Sequence, residues 1–118
     1  MEFALQFLGG EYKYGGTDPN KGVDCSGFTR YVMKYGVSVE IPHSSTGQAA
    51  CGTEVSEEEM QPGDLIFYSS PFGRINHVAM YAGNGQVVHA STEETGIKLS
   101  PYNYREPVKI VKVFWSKS

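Results

Sequence analysis

At Pro62-Gly63 the period of this 118-residue chain changes, and that change limits its fold more than any single residue does. Before it, apolar residues recur at helical spacing. Phe28, Tyr31, Val32 and Tyr35 stand at i, i+3, i+4 and i+7 behind Asp24, a good N-cap whose carboxylate suits the positive start of a helix. This predicts a helix with Cys25 as its first residue and Gly36 as its stop. A shorter helix is predicted over 2–8, and Ser45 with Gln48 three positions on predicts a capping box that opens a helix to about Cys51, closed by Gly52. The stretch 12–22 reads as a loop from its Gly, Pro and Asn content, and Glu57-Glu58-Glu59 as a solvated turn without chemistry. After Pro62-Gly63 the runs shorten to strand length. Strands are predicted over 65–68, 76–82, 86–91, 97–99 and 108–115, the last with Lys109 and Lys112 pointing outward. Helices first and strands second define an α+β class with an antiparallel sheet.

The length suits one domain, 1–118, with one core. A net charge of −3 lacks the basic balance of a nucleic-acid-binding surface. No apolar run approaches the roughly 20 residues of a membrane span, and the acidic start Met1-Glu2-Phe3 does not resemble a signal peptide. A mature form, an excised domain and export by another route all fit. Of the two cysteines, Cys51 ends a run of small residues and reads as a buried residue or helix end, whereas Cys25 lies between Asp24 and Ser26 at a polar helix start; two free thiols are expected.

A cysteine hydrolase needs a thiolate, a base within hydrogen-bond reach and a group that orients the base. A helix start lowers a thiol's pKa and supplies free backbone N–H groups, so Cys25 is the candidate nucleophile and its own N–H a candidate oxyanion donor. The histidines are His43, His77 and His89. The last two lie on the arms of the predicted hairpin, and the loop between them sets their parity. A two-residue loop, Asn84-Gly85, puts Met80 opposite His89 and sends His77 to the other face. A three-residue loop, Gly83-Asn84-Gly85, puts Ala79 opposite His89 and His77 diagonally beside it on one face, where the rings can meet. The three-residue loop is the expectation, and with it a Cys25–His77–His89 triad. Zinc ligation is disfavoured because no Cys-x-x-Cys or His-x-x-x-His spacing occurs. No residue pattern calls for a metal or organic cofactor.

The motifs together resemble the NlpC-type cell-wall cysteine peptidases, which are papain-like in fold, over nearly the whole chain. The matching elements are Tyr12-Lys13-Tyr14-Gly15-Gly16, Asp24-Cys25-Ser26-Gly27-Phe28, Pro42-His43-Ser44-Ser45 with Gln48, Pro62-Gly63-Asp64-Leu65, His77-Val78-Ala79-Met80-Tyr81 and Val88-His89-Ala90. The resemblance implies hydrolysis of peptidoglycan stem peptides, commonly between D-γ-glutamate and a diamino acid, by an extracellular or wall-associated monomer. It implies that Cys25 attacks, His77 acts as base and then acid, His89 orients His77, and Tyr12 positions the reacting group or the oxyanion. In members selective for a free N-terminal L-Ala, the positions of Asp24, Ser26 and Ser45 contact the substrate end, and an anionic Asp24 suits an ammonium by charge pairing as well as capping the helix. Tyr14 stands where the family often has Trp, and His43 where it often has Arg; both belong to the predicted substrate-binding set. An amidase or acyltransferase on the same scaffold and a non-catalytic wall-binding or effector module are the alternatives.

Overall fold

A computed structural model describes residues 1–113. In chain order the elements are α1 (Glu2–Leu5), the short strands β1 (Thr17–Asp18) and β2 (Gly22–Val23), α2 (Cys25–Val37), α3 (Ser45–Ala49), β3 (Thr53–Glu54), a 3-10 turn (Glu57–Glu59), β4 (Leu65–Ser69), β5 (Ile75–Gly83), β6 (Gln86–Ala90), β7 (Ile97–Pro101) and β8 (Pro107–Lys112). The antiparallel sheet runs β3-β8-β4-β5-β6-β7, and β1 and β2 form a separate ribbon. The helices precede every strand of the antiparallel sheet on which they pack, which bears out the α+β expectation. The residues 114 and 115 of the predicted last strand lie outside the described residues.

The sheet is buried on both faces, as the apolar run of β4 requires. Leu65 and Phe67 join Phe28, Val32, Met33, Val78, Met80 and Val88 in the larger core on the helix side. Ile66 and Tyr68 turn the other way, to Ala79, Val87 and Ile110. Fully burying a side chain such as Phe28 stabilises the fold by about 1.5–3 kcal/mol.

Several local expectations are corrected. Helix α2 runs past Gly36 to Val37, and the left-handed residue that ends it is Ser38, at φ 59°. Gly36 instead makes room for a neighbouring ring, since Phe3 packs so near that a Cβ there would come within 3.2 Å of it. Tyr31 stacks on Phe3 and meets Phe7 edge-on instead of entering the main core, and Tyr35 is exposed. Helix α1 is one turn, ending at Leu5. The cap of α3 is Ser44, whose hydroxyl accepts from the Gly47 N–H at 3.1 Å, so the Ser45–Gln48 box does not form. Lys112 points inward, its Nζ donating to Asp64 Oδ1 at 2.8 Å. The 3-10 turn is solvent-facing, closed by Ser56 and Glu59.

The hairpin between β5 and β6 reaches the expected parity by a different route. Its turn is the two-residue Asn84-Gly85, both at positive φ (55° and 77°), with Gly83 paired to Gln86. Between Tyr81↔Val87 and Gly83↔Gln86 the extra residue Ala82 forms a bulge. The bulge shifts the register by one, so Met80 faces Val88, the parity that sends Ala79 and His89 to the same side.

Candidate active site

Asp24 organises the start of α2. Its Oδ1 accepts from the Gly27 N–H at 2.7 Å and from His43 Nε2 at 2.8 Å, while Oδ2 accepts from the Gly15 N–H at 3.0 Å. One carboxylate therefore ties the helix start to the Gly15-Gly16 loop and to the segment after Pro42. The approach is close enough that Gly27 has no room for a Cβ, which would strike the Gly16 carbonyl oxygen. Below this turn Gln48 is fully buried. Its Nε2 donates to Ser26 O at 2.9 Å and Pro42 O at 2.8 Å, and its Oε1 accepts from the Thr29 hydroxyl at 2.6 Å.

The thiol of Cys25 lies against the backbone N–H of Val78, the residue after His77. Burial pushes the thiol pKa up, and the Asp24 charge adds to that; hydrogen bonds from the Val78 and Ser26 backbone oppose it without prevailing. The expected lowering by the helix start is thus outweighed, because little water reaches the thiol and its nearest charge is negative. Both cysteines are free.

His77 and His89 share a face. His77 Nε2 meets His89 Nδ1 at 2.8 Å, and His89 Nε2 meets the Ser100 hydroxyl at 2.9 Å, all three groups buried. Burial lowers the pKa of His77 to about 3, helped by His89 and Arg105, and that of His89 to about 4, helped by Lys98 and Arg105. Both rings are therefore neutral near pH 7. Tyr68 lies across from His77 with its ring 5.8 Å away, and the Tyr104 ring stands 5.2 Å from His89.

Of the predicted site residues, Cys25, His77 and His89 gather at one end of the sheet. Tyr12 is half-buried beside them, its hydroxyl pKa pushed up by burial and then by the nearby thiol. Asp24, Ser26 and His43 form a second group, with the nearly covered Ser26 hydroxyl 3.4 Å from Asp24 Oδ1. Tyr14 is 87% exposed next to Gly15. Ser45 opens α3, and no hydrogen bond joins it to Asp24 or Ser26 among the described residues. Sequence reasoning missed Ser100, Thr29, Tyr104 and Arg105, and it gave Gln48 the wrong role. Ser100 was within reach of parity, since it follows Lys98 by two on the strand opposite His89. Tyr104 and Arg105 sit in a loop without any periodic signal.

Helices on an antiparallel sheet, with a cysteine at a helix start against a histidine-bearing strand, define the papain-like class. A model of the NlpC/P60 family matches residues 9–114. The chain belongs to the NlpC/P60 family, a family of cysteine peptidases. It is 44% identical over 96 residues to the probable endopeptidase p60 of Listeria innocua, covering 80% of this chain and 19% of that protein. It is 40% identical over 100 residues to a gamma-D-glutamyl-L-lysine dipeptidyl-peptidase of Bacillus cereus, covering 82% and 29%. The chain thus spans less than a third of the length of either relative. The NlpC/p60 domain of the peptidoglycan hydrolase SagA superposes with a TM-score of 0.82 at 37% identity, covering 92% of each chain.

Proposed function

We propose that this domain is a thiol-dependent endopeptidase that cuts peptidoglycan stem peptides at the amide between D-γ-glutamate and a diamino acid. The observation that carries it is the buried chain His77–His89–Ser100, with the Cys25 thiol against the backbone N–H of Val78, the residue after His77. With both imidazoles neutral, the chain can carry its protons in either direction, and the catalytic run is the one in which His77 Nε2–H donates to His89 Nδ1 and His89 Nε2–H donates to Ser100 Oγ. That tautomer leaves His77 Nδ1 as an unprotonated base. It takes the thiol proton as Cys25 attacks the amide carbonyl, and returns it to the leaving amine as the C–N bond breaks. Water then hydrolyses the thioester by the same base. His89 acts through His77 by holding its tautomer and sharing the imidazolium charge. The Cys25 N–H and the Tyr12 hydroxyl are suited to the oxyanion.

Asp24, Ser26, His43, Ser45 and Tyr14 form the proposed substrate-end side of the cleft. Because Asp24 is already held by the Gly15 and Gly27 N–H groups and by His43, an incoming ammonium competes with His43 for it. The names of the relatives support the substrate class, and a stem-peptide substrate places the domain's work at the cell wall. The test is to incubate the protein and its Cys25→Ala variant with purified muropeptides and read the fragments by mass spectrometry. The γ-glutamyl–diamino acid fragments are expected from the unmodified protein alone. No cleavage, or cleavage that survives Cys25→Ala, overturns the proposal. Release only from peptides with a free N-terminal L-Ala marks a recycling role, and cleavage of intact sacculi a wall-remodelling one.

A further inference from the structure

We propose that Arg105 is a specificity residue: the β7–β8 loop lays its guanidinium beside the His77–His89 pair, where it takes a carboxylate of the substrate. This rests on the reading of that pair as a hydrolytic site.

The loop bends back over the sheet because Tyr68 holds it, the Tyr68 hydroxyl donating to Tyr102 O at 2.7 Å. Tyr104 then packs its ring 5.3 Å from that of Tyr68 and 5.2 Å from that of His89. Arg105 follows, with its guanidinium carbon 5.6 Å from the centre of the Tyr68 ring. Its Nη2 donates to Ser69 O at 2.7 Å and to Asn76 Oδ1 at 2.9 Å. Asn76 directly precedes His77, so these bonds hold the cation at the end of β4 and β5 where the imidazoles lie.

Ser69 O, Asn76 Oδ1 and the Tyr104 hydroxyl that also bonds Arg105 are all neutral. Among the described residues the ion pairs are Lys34–Glu40, His43–Asp24 and Lys112–Asp64, and none involves Arg105. The guanidinium is only partly exposed and stands within electrostatic reach of both histidines. Lys98, opposite His89 on β7, adds a second positive charge. A half-covered cation held by neutral oxygens, with no carboxylate of its own, is poorly compensated until an anion arrives. A planar guanidinium held through Nη2, bonded to the neighbouring Tyr104 hydroxyl and set over the Tyr68 ring has little orientation left to lose when it binds a carboxylate. The chemistry it recognises is therefore a free carboxylate close to the scissile amide, as opposed to the carboxamide at the same position.

Two reagents test this without relying on turnover. N-iodoacetylglycine and N-iodoacetylglycinamide alkylate the same thiol and differ in one carboxylate. In a Cys51→Ser background Cys25 is the thiol that reacts, and each rate is divided by that of a free cysteine derivative at the same pH. The unmodified site should favour the anionic reagent. Arg105→Gln should lower that preference by about tenfold or more while the carboxamide rate stays within about twofold, and Arg105→Lys should keep part of it. A preference unchanged by Arg105→Gln, or both rates falling together, overturns the proposal and leaves Arg105 a loop anchor. Should Arg105→Gln fail to fold, the unmodified protein still decides, since no preference over the free thiol overturns the proposal. Stem peptides carrying the carboxylate or its carboxamide next to the scissile bond form the second arm. Anionic preference in alkylation with no stem peptide cleaved would sustain the carboxylate site and sink the endopeptidase reading; cleavage without that preference would do the reverse.

Discussion

In the proposed mechanism His89 works without touching substrate. Bonded to His77 Nε2 on one side and to the Ser100 hydroxyl on the other, it would accept from the first and donate to the second, leaving His77 Nδ1 bare. His89→Ala should lower kcat by about 10²–10⁴-fold with KM little changed, because tautomer control contributes to proton transfer rather than to binding. Steady-state kinetics on a single muropeptide checks the split. Gly27 is the opposite case, a residue needed for its lack of atoms. The Gly16 carbonyl fills the space a methyl would take, so the loop that contributes the Asp24 partner Gly15 can lie flat on the first turn of α2 only over a glycine.

At the scale of elements, two devices hold the site together. The first is the seam between α2 and α3. Gln48→Ala strands the Pro42 carbonyl in a part-buried space and leaves the Thr29 hydroxyl and the Ser26 carbonyl only their 3.2 Å bond to each other and the longer one from Thr29 to Cys25 O, and should destabilise the protein by about 1–3 kcal/mol. Urea titration measures that loss, and thiol alkylation should quicken as the turn loosens. The second is the Ala82 bulge. A strand alternates its faces, so deleting Ala82 moves His77 to the face opposite His89 while leaving both strands paired. The expected result is a folded hairpin by circular dichroism and no hydrolysis; hydrolysis that persists would mean the register re-forms elsewhere.

For the whole molecule, burying two histidines links the site to stability. Their folded pKa values, about 3 and about 4, lie below the ordinary 6.5. Between those values the unfolded chain binds protons that the folded protein refuses, so stability is full above about pH 6.5 and falls as the pH drops towards 3. Each imidazole contributes a slope of up to about 1.4 kcal/mol per pH unit in that window. Melting temperature against pH should decline on acidification, and the double variant His77→Gln, His89→Gln should flatten the decline. The base form of His77 persists through the same window, so the acid limb of kcat/KM should sit well below pH 6.5. The thiol shift acts at the other end and should place the rise in direct alkylation on the alkaline side.

Local patterns already carried the turn that bears Cys25. The Asp24 cap, Cys25 at the first helical position and the strand histidines are written in spacing and in short-range hydrogen bonding, which neighbouring residues settle among themselves. The class of fold followed from the change of period at Pro62-Gly63, and the parity of His77 and His89 from the hairpin, although a two-residue turn plus a bulge produced it. What local pattern could not carry was every feature that depends on residues far apart in the chain. The thiol pKa moved up because tertiary burial outweighed the helix start. Lys112 turned inward because Asp64, 48 positions earlier, waits there as a buried anion. Gln48 left its predicted cap to join α3 to α2, and Arg105 came to the imidazoles only because the sheet brings β4, β5 and the β7–β8 loop to one end. Burial and long-range pairing are properties of the packed molecule, so a side chain's partners in that site became readable only once the sheet had closed.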